Sequence, residues 1–139
     1  MGVKRVLMTS IPEEFHELFE KETYAHIATM TPEDAPHVTP VWVGYDAEAD
    51  RLLVNTERDR RKERNLSDDP RVGVSMVDPD NPYRHLSIIG EVDEMTEEGA
   101  REHIDELSRR YTGDDYQPEI QTERVIVKIR PDEVITGGG

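Results

Sequence analysis

Turn-forming clusters cut the apolar runs of this chain into short pieces, and that spacing restricts the fold more than any other feature. Thr31-Pro32-Glu33-Asp34-Ala35-Pro36, Asp46-Ala47-Glu48-Ala49-Asp50 and Asp78-Pro79-Asp80-Asn81-Pro82 each separate two runs rich in β-branched residues. Strands are predicted over 24–29, 37–45, 51–56, 72–77, 84–95 and 124–130. A first helix is predicted from Ser10 to about Lys21, with Glu13 completing a capping box and Ile11, Phe15, Leu18 and Phe19 as its buried stripe. A second is predicted after Thr96, with Glu97 and Glu98 in its first turn and Ala100, Ile104, Leu107 and Tyr111 recurring at helical spacing. Hairpin-length links between strands exclude a doubly wound parallel sheet. The expected class is mainly β (α+β): one domain over 1–139, a six-stranded antiparallel barrel or closed sheet with two main flanking helices.

Pro40 sharpens this picture. It lies within His37-Val38-Thr39-Pro40-Val41-Trp42-Val43 and has no N–H to give to a ladder, so its strand is predicted to be an edge or bulged there. Neighbouring backbone groups are then free to recognise the polar rim of a planar ring. A covered edge strand explains the same residues equally well.

Charge supplies the second constraint. The 139 residues carry a net charge of -14, yet Arg58, Arg60, Arg61, Lys62 and Arg64 crowd into seven positions. The cluster follows the run Arg51 to Thr56 and precedes Asn65-Leu66, so it is read as a strand end turning into a short helix that stops at Asp68-Asp69-Pro70. Backbone N–H groups at such a turn add positive potential, and a phosphate-bearing ligand is expected. The alternative is a solvated face in which Asp59 and Glu63 pair with their neighbours. Exposed pairs contribute only about 0–1 kcal/mol each, whereas a charge-assisted phosphate bond contributes about 1.5–3 kcal/mol, which favours the ligand.

Composition removes several other chemistries. No cysteine is present, so disulfides and thiolate metal sites are excluded. No apolar run approaches the roughly 20 residues a membrane helix needs, and the N-terminal run Met1 to Thr9 is too short in its apolar part for a signal peptide. A cytoplasmic location without membrane attachment is expected. His16, His26, His37, His85 and His103 show neither H-x-H nor H-E-x-x-H spacing, so no metal site is expected. Ser75 and Ser87 have no nucleophile-elbow context, and neither G-x-G-x-x-G nor a Walker A sequence occurs. The acidic surface opposes nucleic acid, and eight aromatics placed mostly like core offer few stacking platforms for single strands. Thirteen arginines against four lysines among 31 acids resemble the compositions of salt-loving archaea, whose acidic surfaces stay hydrated in molar salt.

The order of segments resembles a known family, the flavin and deazaflavin split-barrel oxidoreductases related to pyridoxamine 5'-phosphate oxidase, and within it the deazaflavin-dependent branch. Ala25-His26-Ile27-Ala28-Thr29, Pro36 to Trp42, and Asn55-Thr56 through Arg60, Lys62, Asn65-Leu66 and Asp69-Pro70-Arg71-Val72 carry the likeness. Asn81-Pro82-Tyr83-Arg84, Ile89-Gly90-Glu91, Ala100 to Ile104 and Glu123 to Pro131 extend it over nearly the whole chain. The resemblance implies a six-stranded split barrel, usually a homodimer with its cofactor in a groove between subunits. It also implies that Thr56, Arg60 and Lys62 contact the cofactor phosphate with Asn55 and Arg61 beside them, and that Thr39, Pro40 and Val41 run along the ring system. The Arg- and Trp-containing C-terminal segment of the pyridoxamine phosphate oxidases proper has no counterpart in Ile129 to Ile135, so vitamin B6 oxidation is not implied.

The expected function is hydride transfer between bound F420, a deazaflavin, or alternatively FMN, and a small organic substrate. The reactive ring belongs to the cofactor, so no acid–base pair has to stand out in the sequence. A substrate proton would come from solvent, Tyr83 or His37, and the residues do not choose among them. Tyr83 or Arg84 of a second copy is expected to complete each site. A non-catalytic flavin carrier or sensor is the alternative.

Overall fold

The computed structural model describes residues 8–137; the N-terminal run Met1 to Leu7 and the last two glycines lie outside them. Seven strands form a single antiparallel sheet: β1 (Ala25–Met30), β2 (Pro36–Val41), β3 (Gly44–Asp46), β4 (Arg51–Glu57), β5 (Arg71–Asp78), β6 (Asn81–Thr96) and β7 (Arg124–Gly137). They are ordered β2-β1-β5-β6-β7-β4-β3. Two helices follow β4 and β6, α1 (Arg61–Asp68) and α2 (Ala100–Thr112).

The edge strands β2 and β3 are consecutive in the chain, separated only by Trp42 and Val43. A link that short spans roughly 10 Å. The sheet must therefore curl until its two ends come together, which makes a barrel whose ladder is interrupted at one seam. The expected closed ladder is corrected to this open one, and the edge position expected of Pro40 is found, with Pro40 opposite His26 of β1.

The strand count rises from six to seven because the predicted second strand breaks at Trp42-Val43. There the backbone bonds to side chains of α2 instead of a neighbouring strand. Arg110 donates to the Val43 carbonyl at 2.6 Å, and the Tyr111 hydroxyl lies 3.5 Å from the Val43 N–H. β6 and β7 are longer than predicted, reaching back to Asn81 and on to Gly137. β7 continues past Pro131 because a register shift between Ile89 and Gly90 sets that proline opposite a glycine.

The first helix also differs from expectation. It is a 3-10 helix, Glu13–Phe19, whose N-cap is Pro12 with no side-chain cap bond, so the Ser10 capping box does not form. Its first bond runs from the Phe15 N–H to the Pro12 carbonyl, three residues back. The expected buried stripe is kept: Phe15, Leu18 and Phe19 enter the main core with Ile27, Leu52, Leu86 and Ile129. The second expected helix starts at Ala100 behind Gly99, a left-handed N-cap, while the Thr96 hydroxyl accepts from the Glu98 N–H in the preceding turn. A second apolar cluster, Ile104, Leu107 and Tyr111 with Trp42 and Tyr116 against them, lies under α2. That cluster forms one wall of the candidate site.

Candidate functional site

Alternation along β4 decides which of its residues reach the site. Leu52, Val54 and Thr56 are buried, and Asn55 points the other way, toward α2. Its Nδ2 donates to the Ala100 carbonyl at 2.9 Å and to His103 Nδ1 at 3.0 Å, while Arg124 Nε donates to its Oδ1 at 2.8 Å. Because Nδ1 of His103 accepts, the ring proton sits on Nε2, which is buried without a partner. Burial, reinforced by Arg110 and Arg124, lowers this histidine to about 4 and keeps it neutral.

Arg124 opens β7 and is only 9% exposed. Its guanidinium lies 5.0 Å from the centre of the Tyr116 ring and 3.8 Å from Glu57. Burial lowers its pKa despite that carboxylate. Burial alone would raise the Glu57 carboxyl, but N–H groups of Thr122 and Gln121 together with Arg60 hold it below the ordinary value. Glu57 thereby ties the loop before β7 to the end of β4 and sets where Arg124 emerges.

The basic cluster divides. Arg58 pairs with Glu63 at 3.1 Å and Glu97 at 3.0 Å, and Arg60 pairs with Glu57 at 2.8 Å. Those two arginines follow the ion-paired alternative. Arg61 and Arg64 are exposed on α1. Lys62 makes no ion pair among the described residues, and burial, with Arg60 and Arg124 adding repulsion, lowers its pKa.

Lys62, Asn55 and Arg124 meet at a cavity of about 270 Å³ at the barrel seam. Tyr24, Trp42 and Tyr116 give it aromatic walls, and Pro40, Val41, Ile104 and Leu107 complete it. Trp42 is the single tryptophan of the chain and stacks on Tyr111 at 5.3 Å and 7°. The structure thus brings together Pro40, Val41, Asn55 and Lys62 of the expected residues. Thr39 is on the inner face of β2, its Oγ1 buried without a partner, as is Nδ1 of His37. Thr56 lies 3% exposed on the opposite face of β4 from Asn55, and Arg60 and Arg61 do not line the cavity. Tyr83 is 80% exposed near the start of β6 and is not in the lining.

Sequence reading missed Arg124, Tyr116, Tyr24 and the α2 residues of the wall. Arg124 carried a weak signal, a cation opening a strand whose next three residues are apolar, and Tyr116 was the sole aromatic of the polar stretch 112–122. Among the lining residues no carboxylate offsets Lys62 and Arg124. Two partly desolvated cations beside an aromatic and apolar wall suit a ligand with a planar ring and an anionic group. Among the described residues no group of His, Asp and Glu is arranged to hold a metal ion. None of the helices described is long and apolar enough to cross a membrane.

Comparison with known proteins agrees with this architecture. An F420 reductase structure is 33% identical, covers 90% of this chain and 98% of its own, and superposes with a TM-score of 0.79. A conserved hypothetical protein from Mycobacterium tuberculosis is 24% identical, with 97% and 89% covered and a TM-score of 0.74. General Stress Protein 26 from Bacillus anthracis is 16% identical, with 90% and 92% covered and a TM-score of 0.67. The latter two share the fold. No curated protein sequence matches significantly. The family model described as pyridoxamine 5'-phosphate oxidase matches residues 11–136. The chain therefore belongs to the pyridoxamine 5'-phosphate oxidase family, in the branch that includes the F420 reductase.

Proposed function

We propose that this protein is an oxidoreductase that binds a phosphorylated flavin-type cofactor, F420 or alternatively FMN, and exchanges a hydride between it and a small organic molecule. The observation that carries the reading is the seam cavity, where Lys62, which makes no ion pair among the described residues, and Arg124 stand beside Trp42 and Tyr116 with no carboxylate in the lining. Family membership and the 33% identity to an F420 reductase support the cofactor class. When bound, the cofactor supplies the redox-active ring. Lys62 neutralises the phosphate, the backbone of Thr39 to Val41 on the edge strand orients the ring, and Ile104 and Leu107 exclude water. Thr56, Arg60 and Arg61 remain proposed cofactor contacts from the family resemblance alone.

A second copy of the chain completes the site in this reading. The cavity is smaller than the roughly 300–1,000 Å³ of typical ligand pockets. Its rim residue Pro40 also belongs to the outer face of the sheet. On that face, register aligns Val38, Ala28, Gly73 and Ile89 in one row and Pro40, His26, Ser75, Ser87 and Ile135 in the next. The first row continues into Glu133 of β7; otherwise neither stretch carries an Asp, Glu, Lys or Arg, in a chain that is 35% charged. A groove of about 560 Å³ crosses this face over Ala28, Gly73 and Ile89, with Arg71, Glu91 and Asp132 also in its lining. Such a face is suited to self-association.

The deciding experiment is the absorbance and fluorescence spectrum of the purified protein as F420 and FMN are added. Saturable binding of either supports the proposal, and binding of neither removes it. Reduced cofactor that stays bound and is oxidised by no acceptor assigns a carrier or sensor.

A further inference from the structure

Asn55 lines the cavity, yet its amide has nothing left to offer an anion. An asparagine has two N–H donors and one carbonyl oxygen. Both donors are committed, to the Ala100 carbonyl and to His103 Nδ1, and only the oxygen, itself occupied by Arg124 Nε, faces the cationic side. Reversing the amide would set its oxygen against the Ala100 carbonyl and its N–H groups against the Arg124 donor, so the orientation is fixed. A phosphate requires donors, and those nearest on this side are the remaining N–H groups of Arg124.

We propose that Arg124 is the second anion-binding residue of the cavity, partner to Lys62, and that Asn55 acts only as a positioning residue, gripped by His103 and the Ala100 carbonyl so that it aims the Arg124 fork. This rests on the reading of the cavity as a site for a phosphorylated cofactor. Four contacts hold the guanidinium: Asn55 at Nε, the Tyr116 face at 5.0 Å, Glu57 at 3.8 Å, and the wall that leaves the residue 9% exposed. Asn55 takes Nε and Glu57 lies 3.8 Å from Nη1, so the Nη2 side of the fork is what remains to meet an oxyanion. Burial first, and then repulsion from Arg60 and Arg124, disfavours the charged form of Lys62, and a bound anion relieves that repulsion.

Fluorescence of the single tryptophan, Trp42 in the cavity wall, reads ligand binding without any turnover. FMN and riboflavin share the ring and ribityl chain and differ in the phosphate, so their affinity ratio isolates the anion contact. R124Q is expected to weaken FMN at least tenfold and riboflavin less than twofold. R124K keeps a cation in the buried position, which protects the fold, and is expected to weaken FMN about three- to tenfold with riboflavin unchanged. N55A is expected to weaken FMN three- to tenfold in the native background and not at all in the R124Q background. Equal losses of FMN and riboflavin in both Arg124 variants overturn the anion role. A further FMN loss from N55A when Arg124 is already absent overturns the positioning role and makes Asn55 a direct contact.

Should the native protein bind neither flavin nor F420, the cofactor reading fails separately, and the same variants are titrated with inorganic pyrophosphate. Saturable quenching in the native protein that R124Q abolishes and R124K weakens keeps the anion pair, and quenching that both variants leave unchanged overturns it. No saturable quenching in the native protein overturns it.

Discussion

Gly90 of β6 packs directly on the carbonyl of Arg130 in β7. A Cβ at this position would collide with that backbone oxygen and would press on Cγ2 of Ile129 at 3.2 Å. The register shift beside Gly90 leaves no slack, because its other neighbour, Val72 of β5, is in ladder too. Gly90→Ala should therefore destabilise the barrel by about 1–3 kcal/mol, the range for forcing an extra carbon into a packed interior. Urea unfolding of the two proteins checks it, and a variant as stable as the parent would show that β6 and β7 can part.

The divided basic cluster leads to unequal effects on cofactor binding. Lys62→Ala should weaken both FMN and F420 at least tenfold, since a charge-assisted bond worth about 1.5–3 kcal/mol is lost. Arg60→Ala should cost less than threefold, because Arg60 already spends its charge on Glu57 at 2.8 Å. Arg58, held by Glu63 and Glu97, is likewise not free to meet an anionic ligand. Fluorescence titration of each variant tests this, and equal losses from Lys62 and Arg60 would refute the distinction.

Acid should weaken the fold in a defined window. His103 titrates near 4 in the folded protein against an ordinary value of 6.5, so the unfolded chain takes up its proton first as pH falls. The neutral ring's contribution is whole above 6.5 and declines as pH falls from 6.5 to about 4. Glu57, whose folded pKa is depressed, adds a further loss below the ordinary carboxylate range. His103→Gln should flatten the decline above pH 5 in thermal melts and leave the steeper acid limb in place.

Substituting the outer face should expose the oligomeric state. Ile89 is 55% exposed at the end of the uncharged part of its row, opposite Glu133, and Ile89→Glu sets a second carboxylate there. Light scattering should report a dimer for the parent and a monomer for the variant, with weakened cofactor binding in the monomer. A parent that is monomeric yet binds cofactor with full affinity would remove the shared-site proposal.

Salt should raise the melting temperature. Repulsion within a chain of net charge -14 is screened at high ionic strength, and the exposed ion pairs that salt also weakens contribute little each. Melts from low to molar potassium chloride test it; a flat or falling curve would count against adaptation to high salt.

Local chemistry made most of the fold legible. Turn residues and alternation marked five of the strand positions, and the missing N–H of Pro40 marked the edge. Lys62 was legible because a charge cluster at a strand end is a local pattern, whereas Asn55 was implied only by the family resemblance. The break at Val43 was not, since its cause, Arg110 and Tyr111, lies 67 and 68 residues away. Arg124 escaped for the same reason: its place beside Asn55 depends on pairing β4 with β7, a contact spanning 69 residues. The 3-10 start escaped because Ser10 and Glu13 have the spacing of a capping box whether or not the chain enters the helix at Ser10.

The two-residue link at Trp42-Val43 also bears on aggregation. Strands β2 and β3 hold the unpaired backbone groups of the sheet, the usual template for runaway strand addition. Tethered end to end, with Pro40 lacking a donor and β3 only three residues long, they offer an incoming strand little to pair with. A proteolytic nick or a flexible insertion at this link would release both edges together. Such a cut, in the wall of the cavity itself, is where loss of solubility should begin.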